Sequence, residues 1–124
     1  MIELVALMLL SQQPLEPVAK GWASYYTSES SGFATASGDL LDDGQYTCAM
    51  RRGKFGGYYM VVAENGNSVI CRLNDRGPYK RGRVIDLTEA AMKRLHPNAG
   101  EVGKLRVKVY RIKLDGIKNL LGQT

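Results

Sequence analysis

The sequence is poor in the residues that build metal centres. It has one histidine, His96, and two cysteines, Cys48 and Cys71, neither of them in a C-x-x-C unit. A zinc site therefore has no support, and no metal or other cofactor is expected. The longest apolar run, Met1 to Leu10, falls well short of the ~20 residues a helix needs to span a bilayer. No self-similar period of ~20–50 residues is visible, which argues against a solenoid. The positive charge comes with no recognised nucleic-acid motif or aromatic ladder, so nucleic acid is not an expected partner.

The chain has 124 residues and no long linker, so one domain is expected, acting as a monomer. Its hydrophobic content of 44% is ordinary for a globular protein with a packed core. Fourteen glycines in so short a chain favour many tight turns, hence an all-β fold over a helical one. The formal net charge of +5 directs attention to polyanions or anionic surfaces as partners.

Met1 to Leu10, followed by Ser11-Gln12-Gln13 and Pro14, is similar to the apolar segment of a signal peptide, although Glu3 stands where a cation is usual. The alternative is a short N-terminal helix. Leu15 to Lys20 reads as a linker, Gly21 to Thr27 as a first strand, and Ser28 to Gly38 as a loop. Thr47 to Met50 can begin a second strand. Asn65-Gly66 lies between two strand-like runs, so Tyr58–Ala63 and Ser68–Leu73 are expected to pair antiparallel. Thr88 is a suitable N-cap for a short helix that ends before Pro97. Leu105, Val107, Val109 and Ile112 alternate with Arg106, Lys108 and Arg111, which predicts a last strand over Lys104 to Lys113 with one basic face. Asp115 to Thr124 reads as a tail.

The most informative stretch is Asn74-Asp75-Arg76-Gly77-Pro78-Tyr79, with Val84-Ile85-Asp86-Leu87-Thr88 shortly after it. A strand runs into Asp75 and a Gly-Pro turn, which presents a carboxylate at a strand end. Arg72, Arg76, Lys80, Arg81 and Arg83 surround it. Read on spacing alone, Asp75 is either a site residue or a turn residue that bonds its own backbone.

The blocks taken together resemble the rare lipoprotein A (RlpA)-like family. Gly21-Trp22-Ala23-Ser24-Tyr25-Tyr26 matches that family's G-x-A-S-x-Y opening, and Thr35-Ala36-Ser37-Gly38-Asp39 is similar to its T-A-x-G-E motif. Thr47-Cys48-Ala49-Met50 stands where the family usually reads T-A-A-H, and the Asn74–Tyr79 and Ile85–Thr88 blocks follow in order. The resemblance implies a six-stranded double-psi β-barrel with one or two short helices over 21–113, preceded by a signal or N-terminal segment over 1–20 and followed by a tail over 114–124. It also implies a secreted, periplasmic or wall-associated protein that acts on peptidoglycan glycan strands, with no transmembrane span.

The implied reaction is that of a lytic transglycosylase. The MurNAc–GlcNAc bond is cut without water, because the muramic C6 hydroxyl attacks the anomeric carbon and leaves a 1,6-anhydro end. The family's acids carry over to Asp75 and Asp39 as the catalytic pair, with Asp75 protonating the leaving oxygen. Ser24, Tyr26, Arg76, Tyr79 and Asp86 are the candidate substrate-binding residues. Asp86 has two further readings: bonding backbone amides at the helix start, or orienting Asp75. Two departures weigh toward an expansin-like module that binds and loosens wall glycan without cutting it. Asp39 is one methylene shorter than the family's Glu, and Met50 replaces its His. The two cysteines sit in separate predicted strands. They are a possible disulfide in an exported chain, or else two buried thiols.

Overall fold

A computed structural model describes residues 16–113. The expectations for a signal segment and a C-terminal tail fall on residues outside that range. The six strands are β1 (Ala19–Tyr26), β2 (Thr47–Ala49), β3 (Tyr58–Ala63), β4 (Ser68–Asp75), β5 (Arg83–Thr88) and β6 (Lys104–Ile112). The short helices are α1 (Ser28–Ser31), α2 (Glu89–Leu95) and α3 (Ala99–Val102).

The strands close into one barrel in the order β1-β5-β2-β4-β3-β6. β1 pairs parallel with β5 and β2 parallel with β4, while the other four contacts are antiparallel. This is the double-psi β-barrel the resemblance implied. Alternation sets its interior. Ala23 on β1, Cys71 and Leu73 on β4, Ile85 and Leu87 on β5, and Val107 and Val109 on β6 all point inward and are almost fully buried. Met92 and Leu95 of α2 join the same core.

The Asn-Gly hairpin forms as expected, and it does more than turn the chain. Gly66 takes a positive φ of 89° at the tip, the conformation glycine adopts without a Cβ clash. Asn65 Nδ2 and Asn67 Nδ2 then both donate to Leu95 O, at 2.9 and 3.0 Å, and so satisfy a carbonyl left open at the end of α2.

Four local expectations are corrected. Ala19 and Lys20 belong to β1 rather than to a linker, because β6 supplies ladder partners for them in Val109 and Lys108. The Ser28–Gly38 loop opens with helix α1, capped by Thr27 Oγ1 accepting from Ser30 N and anchored by Asp43 accepting from Ser28 N and Oγ. The Val84–Thr88 block, read only as a motif, is strand β5 in the middle of the barrel. Thr88 precedes α2 but makes no side-chain cap bond. Its Oγ1 instead donates to Gln45 O at 2.6 Å.

Gly21 shows why the opening motif begins with glycine. A Cβ there would lie 2.8 Å from Gly82 O and 2.9 Å from Val84 Cγ1, beside the bond from Trp22 N to Gly82 O. Backbone cannot retreat from that contact as a flexible side chain could. Gly21→Ala is therefore expected to destabilise the fold by about 1–3 kcal/mol, the usual cost of overpacking. Gly44→Ala, where the nearest atom is 3.4 Å away and φ is ordinary, should change stability far less. Thermal unfolding of both variants checks this; equal melting temperatures would refute it.

Candidate active site

The site is assembled at the end of β4. Asp75 is the strand's last residue, and its carboxylate accepts three hydrogen bonds. Oδ1 accepts from Ala36 N and Arg76 N, both at 2.9 Å. Oδ2 accepts from Tyr26 Oη at 3.3 Å. The register places Asp75 against Ala49 and Ala49 against Asp86, so the two aspartates are cross-strand neighbours separated only by β2. Two strand spacings correspond to about 10 Å between their Cα atoms. Ser24 on β1 lies opposite Asp86 on the other side.

The Thr35–Asp39 block forms a tight hairpin docked on the site. An Ala34–Leu40 bridge and the bond from Thr35 Oγ1 to Asp39 O, at 2.6 Å, close the hairpin. Its main chain fastens it to β4, with Ser37 N donating to Asn74 O at 3.1 Å and Ala36 N donating to Asp75. The block thus contributes backbone donors to Asp75. Its own carboxylate goes elsewhere: Asp39 Oδ2 pairs with Arg72 Nη1 at 3.0 Å, with both side chains well exposed. No hydrogen bond joins Asp39 to Asp75 among the described residues, so the expected pair of acids is not in direct contact.

Asp86 is held differently from either reading of it as a structural residue. Its Oδ1 accepts from Ser24 Oγ and from Arg83 Nη2, the latter a half-buried ion pair at 2.6 Å. It bonds neither the backbone at the start of α2 nor Asp75. Arg76, expected at the substrate, is turned toward the chain itself. Its guanidinium donates to Gly53 O at 2.7 Å and lies 4.1 Å from the Phe55 ring centre, which pins the 50–55 turn beside the site. Tyr79 is 75% exposed and free to stack on a ring. Met50, where the family usually has His, is buried in the core, and only its backbone N reaches Asp75 O, at 3.2 Å.

Two participants could not be read from the motifs, Ala36 and Arg83. Ala36 acts through a backbone N–H, which no residue type announces. Arg83 and Asp86 are three apart on a strand, a spacing that alternation places on opposite faces, so their pairing had no periodic signal. Asn74 is 2% exposed, and its Oδ1 has no partner among the described residues.

Cys48 and Cys71 are both buried and stand as free thiols. Cys71 Sγ donates to Cys48 Sγ at 2.9 Å, so the two sulfurs face each other across β2 and β4. That hydrogen bond, and then burial, push the Cys48 thiol well above its ordinary pKa. No group of three or more His, Cys, Asp or Glu side chains suited to a metal ion occurs among the described residues, and none of their helices is long and apolar enough to cross a membrane.

Tyr26 is the most perturbed group at the site. Burial first, then the negative charge of Asp75 and the hydrogen bond to it, raise its pKa far above the ordinary value near 10. It therefore remains a donor to Asp75 across the whole working range. The linkage has a definite sign. The raised group adds stability that is fully present below pH ~10 and is lost as pH climbs above it, because the unfolded chain then ionises first. Stability should fall above pH ~10, and Tyr26→Phe should flatten part of that fall. Urea unfolding at pH 8 and pH 11 measures it; an unchanged pH dependence in the variant would contradict the assignment.

Residues 18–109 match the family described as lytic transglycolase. Over 106 residues the chain is 36% identical to the endolytic peptidoglycan transglycosylase RlpA of Haemophilus influenzae, covering 85% of this chain and 36% of that protein. The chain thus spans about a third of the length of that relative. Among solved structures, the barrel is similar to the Streptomyces papain inhibitor, with a TM-score of 0.60 at 22% identity over 77% of this chain and 94% of that one. It is also similar to an expansin of Clavibacter michiganensis, with a TM-score of 0.58 at 16% identity over 77% of this chain and 50% of that one. The barrel, the motif blocks it brings to the end of β4 and the match across most of the sequence lead to one conclusion: the chain belongs to the RlpA-like lytic transglycolase family.

Proposed function

We propose that the chain is the peptidoglycan-cleaving domain of an extracytoplasmic lytic transglycosylase, with Asp75 as its acid and base. The observation that carries this reading is the setting of the Asp75 carboxylate. It stands at a strand end, gripped by two backbone donors and one tyrosine, with Asp86 two strands away. Such a group can be positioned to within the fraction of an ångström that proton transfer demands.

The chemistry requires one proton to travel out and one to return. Protonated Asp75 gives its proton to the glycosidic oxygen as the bond from that oxygen to the muramic anomeric carbon breaks. The C6 hydroxyl oxygen bonds to the anomeric carbon, its O–H bond breaks, and Asp75 takes that proton. No water is consumed, and Asp75 ends as it began. Tyr26, which keeps its proton throughout, fixes Oδ2 and does not compete as a base. Ser24 and Asp86, with Arg83, offer hydroxyl and carboxylate groups for sugar hydroxyls, and Tyr79 offers a ring face.

A second reading has a specific observation behind it. Asp39 is engaged by Arg72, and the position of the family's His is a buried Met50. Both features remove groups from the neighbourhood of Asp75 and favour a module that binds wall glycan without cutting it.

Mass spectrometry of products released from purified sacculi separates the two readings. The enzyme reading expects anhydro-MurNAc ends from the full chain and loss of at least ~10²-fold in Asp75→Asn, the lower range for a missing acid–base group. Asp39→Asn is expected to have a smaller effect, since its carboxylate does not contact Asp75. Sedimentation with sacculi but no anhydro product from the wild type would establish the binding module instead.

The same extracytoplasmic setting bears on the cysteines. In an oxidising compartment Cys48 and Cys71 are expected to pair across β2 and β4, closing a loop of about 20 residues that adds roughly 3 kcal/mol. Alkylation of denatured, unreduced protein recovered from the compartment should label neither sulfur. Two labelled cysteines per chain would show that they stay reduced.

A further inference from the structure

The basic face of β6 is not alone. β1 and β6 run antiparallel, with Lys20 opposite Lys108, Trp22 opposite Arg106 and Ser24 opposite Lys104. Ala23 on β1 and Val107 and Val109 on β6 are core residues, so alternation directs Lys20, Trp22, Lys104, Arg106 and Lys108 outward. The four cations are exposed, and none makes an ion pair among the described residues. Lys20 and Lys108 face each other directly, an arrangement that destabilises a sheet unless an anion relieves it.

Trp22 organises the cations. Lys104 Nζ lies 4.6 Å and Arg106 Cζ 4.7 Å from its ring centre, so the indole is occupied as a cation–π partner and holds two charges in place before any ligand arrives. Beside them a groove of about 550 Å³ is lined by Lys20, Arg106, Lys108 and Tyr110, with Glu64 as its one carboxylate. The ladder advances by roughly 6.8 Å for every second residue. At its Lys104 end it meets Ser24, which is bonded to Asp86 of the candidate active site.

We infer that this β1–β6 face binds a linear phosphodiester polymer of the kind attached to cell walls, such as poly(glycerol phosphate). A regular row of cations matches a chain that carries one permanent negative charge per repeat, whereas carboxylates on short peptides present isolated charges. The arginine fork and the lysine ammonium groups are both suited to phosphate oxygens. The choice of a wall polymer over other phosphodiesters rests on the proposed action of the adjoining site on wall glycan. The binding itself does not depend on cleavage.

Trp22 is the only tryptophan in the chain, so its fluorescence reports on the ladder directly. Poly(glycerol phosphate) titrated into the full chain should change that fluorescence saturably, with a log–log salt slope of roughly −3 for four neutralised phosphates. Arg106→Gln combined with Lys108→Gln should weaken binding at least tenfold and about halve the slope while leaving the melting temperature in place. Anhydro-MurNAc release from sacculi stripped of phosphodiester polymer should be unchanged in that variant. Asp75→Asn should bind the polymer normally even if it cuts nothing, so the ladder and the catalytic reading can fail separately. Poly-glutamate binding as tightly as the phosphate polymer would overturn the ligand class. A single-stranded oligonucleotide binding more tightly than poly(glycerol phosphate) would overturn the wall source. No fluorescence change, or full binding by the double variant, would overturn the site.

Discussion

Three donors converge on the Asp75 carboxylate: Tyr26 from the end of β1 and Ala36 from the docked hairpin, both far from it in sequence, and the backbone of Arg76 beside it. A carboxylate in such a place must be hydrogen-bonded or lose more than the bonds are worth, so these donors are a constraint on the whole fold. The parallel β1–β5 and β2–β4 pairings bring the ends of β1 and β4 within reach of each other. The closed order then leaves the 27–46 segment to travel over the rim, where α1, Asp43 and the Thr35–Asp39 turn hold it down.

Much of this architecture was legible. Alternation located β6 and its basic face, Asn65-Gly66 located the β3–β4 hairpin at its observed bounds for β3, and the motif blocks implied the barrel. What escaped has physical reasons. β5 reads as a mixed run, Arg-Val-Ile-Asp-Leu-Thr, because buried Ile85 and Leu87 alternate with Asp86, and Arg83 reaches Asp86 across an irregularity in the β1–β5 register. The one-turn helix α1 is stabilised by a capping box and by Asp43, fifteen residues away, which no local window contains. Within the site, Asp75 and its place at a strand end were readable. The partner chosen for Asp39 was not, because Arg72 lies on the neighbouring strand segment and competes by geometry alone.

The two departures from the family pattern have different structural standing. Met50 fills core volume and touches Asp75 only through its main chain, so the barrel is complete without the usual imidazole. Asp39 is a surface group in a salt bridge, and exposed pairs of that kind are weak and screened by salt. A side chain held so lightly is one that a bound glycan can recruit, whereas a buried methionine cannot be exchanged for a proton carrier by any movement of the loop.

The closed order of the barrel also limits how any polymer can be held. Each of the six described strands has two neighbours, so the barrel presents no free edge strand among the described residues. An extended partner therefore cannot join the sheet as an additional strand, the mode by which many domains capture peptides. Glycans and polyanions offer hydroxyls, rings and charges rather than a β-ladder. A barrel with no free edge strand discriminates among them by side chains and rim loops. Among the described residues it also gives a second copy of the chain no free edge strand on which to template aggregation.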